Sequence, residues 1–313
     1  MRMRGSVQRR SQARMREYVI NRRKDYPIMR TRIALLFALV SLAVLTTQAL
    51  AGNEKIQLRL HLKEGQKFGL KTVENDHITI TLASTVVPIS MKSSYGLMFE
   101  VTKVDNDGSA ALKVTYKTVG ISFSGGGINL DYDSANPASK NSPWAGLVAG
   151  QVGRTLTMRV SPEGRVSDVQ GTSNQGKEML EGLFTVYPSA PVALGERWST
   201  TAAETTIPCI MTHYLKITDR TDGSANVKEY VDIKPNAKAP EMALPGWKAK
   251  VSLSGTAQGN TTVDEATGLP VSGSGTGHIT GTCDVTEGSK TGRGYLTIDS
   301  TMSVDRFYST DSN

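Results

Sequence analysis

Period-two alternation constrains this chain more than any other feature. I56-Q-L-R-L-H-L62 sets Ile56, Leu58, Leu60 and Leu62 on one face of an extended segment and Gln57, Arg59 and His61 on the other. H77-I-T-I-T-L82, R154-T-L-T-M-R-V160 and V251-S-L-S-G-T256 alternate likewise. That period belongs to strands with one buried and one wet face. S161-P-E-G164 and E265-A-T-G268 punctuate the pattern with turns ending in Gly. Strands over 205–219, 225–234, 248–264, 269–285 and 293–308 follow one another through short turns. The pattern predicts a mainly β fold of antiparallel meander sheets, of half-barrel or sandwich type. Helical signals are few: S142-P-W-A-G-L-V-A149, with Ser at a cap and Pro after it, and 174–186, where Met179, Leu180, Leu183 and Phe184 form one stripe.

Charge is distributed unevenly. Residues 1–51 carry 11 Lys/Arg against Glu17 and Asp25, which leaves 25 bases and 27 acids beyond them, a net of −2. The chain's +7 therefore belongs to its leader, and residues beyond 51 lack the basic excess that phosphate backbones require. Nucleic acid is excluded as a main partner. Within the leader, I33-A-L-L-F-A-L-V-S-L-A-V-L45 is too short for a transmembrane helix and suits a signal-peptide core. Ala49 and Ala51 stand in small-residue cleavage positions, so 1–51 reads as a leader, with Met29 a candidate true start. The alternative is a membrane anchor with a basic tail. The expected location is exported, periplasmic or extracellular, with no transmembrane span in the mature chain.

Three pairs of local signs recur in the same order. L62-K-E-G-Q-K-F68 matches V192-A-L-G-E-R-W198, V101-T-K-V-D-N-D-G-S-A110 matches I217-T-D-R-T-D-G-S-A225, and S161-P-E-G164 matches E265-A-T-G268. The ordered set predicts a duplication: a first β unit over 53–190 with the helix 174–186, and a second over 191–313. Asp105, Asp107 and Gly108 invite comparison with a calcium loop, but their spacing lacks the alternating ligands and the Glu at position 12. Asp-Gly between two strands predicts a hairpin turn in which Gly supplies a positive φ.

The start strand with Gly65, V-T-x-V-x-x-D-G of 101–108, L-T-M-R-V-S-P-E-G-R-V of 156–166 and Y-P-S-A-P-V-A-L-G-E-R-W of 187–198 resemble an uncharacterised family of exported bacterial β-proteins, a domain of unknown function. The resemblance spans most of 53–308. It implies a β fold and an envelope location, and brings no catalytic residues.

Chemistry-bearing motifs are sparse. Cys209 and Cys283 are the only cysteines, and export favours a disulfide between them. Cys209 with His213, four apart on one strand face, is the competing metal reading. His61, His77, His213 and His278 form no H-x-x-x-H pair, and no G-x-S-x-G elbow occurs. G125-G-G127 and the glycines of 273–277 are followed by no helix and read as turns or bulges. Asp131, Asp133 and Asp168 are isolated acids. No catalytic, cofactor-binding or metal site is predicted. The leading expectation is an exported non-enzymatic binding protein for an apolar or lipid-like ligand or an envelope partner. A structural or adhesive envelope component comes second, and a hydrolase without recognisable motif third.

Overall fold

The structure, a computed structural model, describes residues 54–142, 145–203, 209–238, 242–244, 247–287 and 290–307. The leader over 1–51, Pro143 and Trp144 of the predicted first helix, and residues 205–208 and 308 of the predicted strands lie outside the described residues.

Alternation produces long strands: β1 (Lys67–Leu82), β2 (Thr85–Val104), β3 (Ala110–Gly125), β4 (Ile128–Asp133), β5 (Thr155–Val160), β6 (Val166–Gln170), β7 (Arg197–Ala203), β8 (Cys209–Thr221), β9 (Ser224–Pro235), β10 (Met242–Leu244), β11 (Trp247–Asp264), β12 (Pro270–Glu287) and β13 (Lys290–Phe307). All pair antiparallel, in the row β6-β5-β3-β2-β1-β13-β12-β11-β9-β8-β7, with β4 beside β3 and β10 beside β11. The chain meanders from the centre to one edge, crosses to the other edge, and returns to pair β13 with β1. The ends of the row, β6 and β7, do not pair, so the sheet is open.

The Asp-Gly hairpins form as the sequence indicates. Gly108 has φ +82° between β2 and β3, and Asp222-Gly223, with φ +52° and +76°, makes a two-residue turn between β8 and β9. The Asp105 carboxylate is engaged by Lys103 and Arg159, which hold its pKa below the usual range. Helix α1 is only Ala145–Val148, between two 3₁₀ turns. Helix α2 spans Asn174–Glu181, capped by the Ser173 hydroxyl, and stops at Gly182 instead of reaching 186. Leu180, Leu183 and Phe184 are nonetheless buried together, because the chain turns after Gly182 and keeps them on the core. Segment 56–62 also departs from expectation. Its alternation is real, with Leu58, Leu60 and Leu62 buried, but apart from an isolated Ile56–Val192 bridge it joins no ladder.

That segment, together with Tyr187, curls the sheet. The turn 161–164 joins β5 to β6, and the turn 264–269 joins β11 to β12. β5 and β12 stand five positions apart in the row, about 24 Å on a flat sheet. Yet consecutive residues bond both turns: Leu60 N–H donates to Pro162 O (2.7 Å) and His61 N–H to Thr267 O (2.9 Å). Tyr187 repeats the link, its N–H donating to Glu163 O (2.8 Å) and its buried hydroxyl to Gly268 O (2.6 Å). Arg59 adds an ion pair to Glu163. Gly164 (φ +80°) and Gly268 (φ +69°) are needed here, since a Cβ would stand 2.2 Å from Thr185 O and 2.0 Å from Arg59 O. The concave side thus formed holds the main core at one end of the strands. Phe68 stacks on Phe99 (4.9 Å) and Phe184 meets Phe99 edge-on (5.8 Å) among Leu70, Leu97, Leu112, Leu180 and Ile217.

Tyr187→Phe leaves the Gly268 carbonyl short of a buried partner and should lower stability by about 1–2 kcal/mol. Gly268→Ala adds a backbone clash to roughly 1–3 kcal/mol of φ strain and should destabilise more. Urea unfolding of the two variants checks the order.

Candidate functional site

Strand register distributes chemistry between the two faces. Gly125, Ile89, Ile78, Ile298, Ile279, Gly255, Ile233, Met211 and Ala202 are successive register partners and form one rung across nine strands on the concave face. Next to it, Ile80 pairs with Val87 and Leu296. These residues lie beyond the main core, and Ile78, Ile89, Ile279 and Ile298 are only half-buried, while Ile233 is buried in a small second cluster with Cys209 and Val231, against which Met211 and Ile279 pack. The neighbouring rung faces outward: Asn129, Ser124, Ser90, His77, Asp299, His278, Thr256, Asp232, Thr212 and Thr201. Its members bond sideways, as His278 Nδ1 does with Asp299 (2.6 Å) and His77 Nδ1 with the Ser90 hydroxyl (3.1 Å). Two open grooves of about 400 and 470 Å³ flank exposed Tyr230 on that outer face, and Tyr214 and Tyr230 pair there at 6.3 Å. The smaller is lined mainly by polar groups, and the larger mainly by the apolar surfaces of Tyr214, Tyr230 and the stems of neighbouring Lys and Arg side chains. The inner face is the site with distinct chemistry, because half-exposed isoleucines in a concave wall are the less satisfied surface.

Two polar groups interrupt the inner face. On β8 and β9, His213 Nδ1 meets Glu229 at 2.8 Å. On β1, which has no bulge, Phe68, Leu70, Thr72, Glu74, Asp76 and Ile78 share the inward side. Glu74 is solvent-accessible and Asp76 is buried, 7 % exposed. Surrounding protein raises the Glu74 carboxyl pKa, and Asp76 raises it further, while a hydrogen bond with Ser300 opposes the shift. Tyr95, opposite Thr72, lies beside Glu74 on the core side, and its ring meets that of the buried Tyr116 edge-on at 6.1 Å; burial raises both phenols, with Glu74 adding to the shift of Tyr95. The signal was present in L70-K-T-V-E-N-D-H-I78, where two acids share the parity of Leu70 and Ile78, but a strand taken to begin at His77 passes over it.

The cysteines correct an expectation. No disulfide joins Cys209 to Cys283. Cys209 on β8 and Cys283 on β12 stand three positions apart in the row, about 14 Å, beyond disulfide reach. Cys209 and His213 share the inner face, but His213 is turned to Glu229. Asp131 and Asp133 on β4 and Asp168 on β6 lie on separate strands, and Asp168 approaches Arg159 at 3.8 Å. Among the described residues no group of three His, Cys, Asp or Glu side chains could hold a metal, and no helix is long and apolar enough to cross a membrane.

Residues 107–175 and 173–270 match a family of unknown function, DUF6263. Together they span 164 of 313 residues, and the chain belongs to that family. This is the uncharacterised domain family that the strand and turn motifs suggest. No curated protein matches. Among solved structures, a lipovitellin structure described for lipid–protein interactions aligns over 79 % of this chain and 25 % of its own, at 10 % identity and a TM-score of 0.48. The chain thus spans about a quarter of lipovitellin. A lipoprotein-sorting protein domain from Vibrio parahaemolyticus, described as putative and outer membrane, aligns over 78 % and 87 % (10 % identity, TM-score 0.14). An outer membrane channel from Pseudomonas putida F1 aligns over 82 % and 98 % (11 %, 0.18).

Two expectations follow. A carboxyl whose pKa is raised on folding contributes stability in full below its unfolded value, near 4.5, and loses it as pH rises through the folded value. Glu74→Gln should therefore raise stability at pH 7 relative to the parent and lose that advantage below about pH 4.5, which thermal melts across pH will show. Burial and Asp284 raise the Cys283 thiol. Under native conditions it should react slowly with a thiol reagent, whereas the unfolded, unreduced protein should titrate two thiols.

Proposed function

We propose that this protein is an exported, non-enzymatic carrier or sensor that binds an apolar, lipid-like molecule on the concave face of its curled sheet. The isoleucine rung carries the reading. Apolar side chains on a concave wall that the core does not cover gain roughly 25 cal/mol for each Å² that a ligand removes from water. Export is supported by the leader over 1–51, with its 13-residue apolar run and small-residue cleavage site. Two related β units within one sheet, divided near 190, are also proposed. Their support is matched local geometry: Gly65 N–H donates to Val101 O and Gly195 N–H to Ile217 O, both at 2.9 Å, each beside a register shift. The Gln66 and Glu196 side chains accept from Lys63 N–H and Ala193 N–H in the same way. The second functional reading, an envelope interaction protein, draws on the exposed Tyr214–Tyr230 pair of the outer face.

The neutral probe N-phenyl-1-naphthylamine should bind with saturable fluorescence. Ile298→Asp, on the inner face, should weaken it at least tenfold. Thr297→Asp, one residue away on the outer face, should leave it unchanged. Equal effects of the two substitutions, with melting temperatures preserved, would defeat the inner-face reading.

A further inference from the structure

We infer that the inner face selects an amphiphile with a cationic head, its ammonium group held by Glu74 and Asp76 beside the ring of Tyr95; this rests on the apolar-ligand reading above. Asp76 is 7 % exposed, and among the described residues no hydrogen bond or ion pair reaches its carboxyl. A buried carboxylate without a partner is costly, and proteins keep one where something else completes it. Its same-face neighbour Glu74 lies two residues on, about 6.6 Å between Cα atoms, close enough for one ammonium to meet both. The pair repels itself, since Asp76 disfavours the charged form of Glu74. A cation would relieve that repulsion.

The surroundings select among cations. Tyr95, partly exposed and opposite Thr72, stands one same-face position from Glu74, and an aromatic face with a carboxylate is the usual seat of alkylated ammonium groups. A hard divalent ion wants six or more oxygens. Here the described residues supply two carboxyls and the Ser300 hydroxyl, and no third acidic or metal-binding side chain. An anionic head is disfavoured because no Lys or Arg shares this level: the inward residues of β1, β2 and β13 there are Thr72, Glu74, Asp76, Met91, Ser93, Tyr95, Ser300 and Met302. The apolar rung begins at Ile78, one same-face position beyond Asp76. An acyl or alkyl chain leaving the head would run directly onto isoleucine.

Isothermal titration of the full chain with three 12-carbon probes below their micelle concentrations tests this: dodecyltrimethylammonium, dodecyl maltoside and dodecyl sulfate. The cationic probe should bind at least tenfold tighter than the other two. Asp76→Asn and Glu74→Gln should each bring it within about threefold of the maltoside, whose own binding should not change. Asp76→Asn should melt at or above the parent temperature, because it removes an uncompensated charge. A lower melting temperature would show that Asp76 has a structural partner and overturn the inference. Should that variant fail to fold, Glu74→Gln, at an accessible side chain, carries the binding test alone. Equal binding of all three probes overturns the head-group inference and leaves the apolar reading standing. Binding of none defeats both. A rise in melting temperature with calcium alone, abolished by either substitution, would make the pair a metal site and overturn the inference.

Discussion

Tyr187 joins two turns that a flat sheet would hold about 24 Å apart, and the architecture depends on that staple. Its amide donates to Glu163 O and its hydroxyl to Gly268 O. Leu60, His61 and Arg59 reinforce the same junction. An open antiparallel sheet twists of itself, and this junction adds the curl while leaving β6 and β7 unpaired. Two glycines make the approach possible, because the backbone of the crossing segments occupies the space of their missing Cβ atoms. The curl gives the sheet an inside. Half of that inside becomes core, since the crossing segments bring Leu58, Leu60, Leu180, Leu183 and Phe184 onto it. The other half stays half-exposed along Ile89, Ile78 and Ile298 and ends in the small buried cluster of Cys209, Val231 and Ile233.

The two carboxyls of β1 sit where these halves meet. A strand that runs Phe68, Leu70, Thr72, Glu74, Asp76, Ile78 inward breaks its own apolar pattern at the boundary of core and open wall. Placing acids there opposes stability, as the raised Glu74 pKa indicates. Sites that sacrifice stability locally are where function is usually found.

Much of the β content was legible because alternation is a local property: β9, β11, β12 and β13 fall within a few residues of the segments the pattern marks. The order of strands was not, because β1–β13 pairing joins residues more than two hundred apart that no local pattern encodes. The same holds for the curl, whose bonds link Arg59 to Glu163 and Tyr187 to Gly268. Segment 56–62 shows the limit of periodicity: an extended chain with one buried face alternates whether or not a neighbouring strand accepts its hydrogen bonds. The Cys209–Cys283 expectation rested on compartment alone, and the sheet sets the two cysteines three strands apart. Glu74 and Asp76 were readable in parity, provided the strand was extended back to Phe68.

Native mass spectrometry of the protein as isolated from cells that produce it tests the central claim most directly. The expected spectrum shows a bound amphiphile of lipid-like mass, carrying a positively charged head, that is lost on denaturation. A fully folded protein that is consistently bare, and that stays bare after incubation with cationic and neutral amphiphiles, would contradict it.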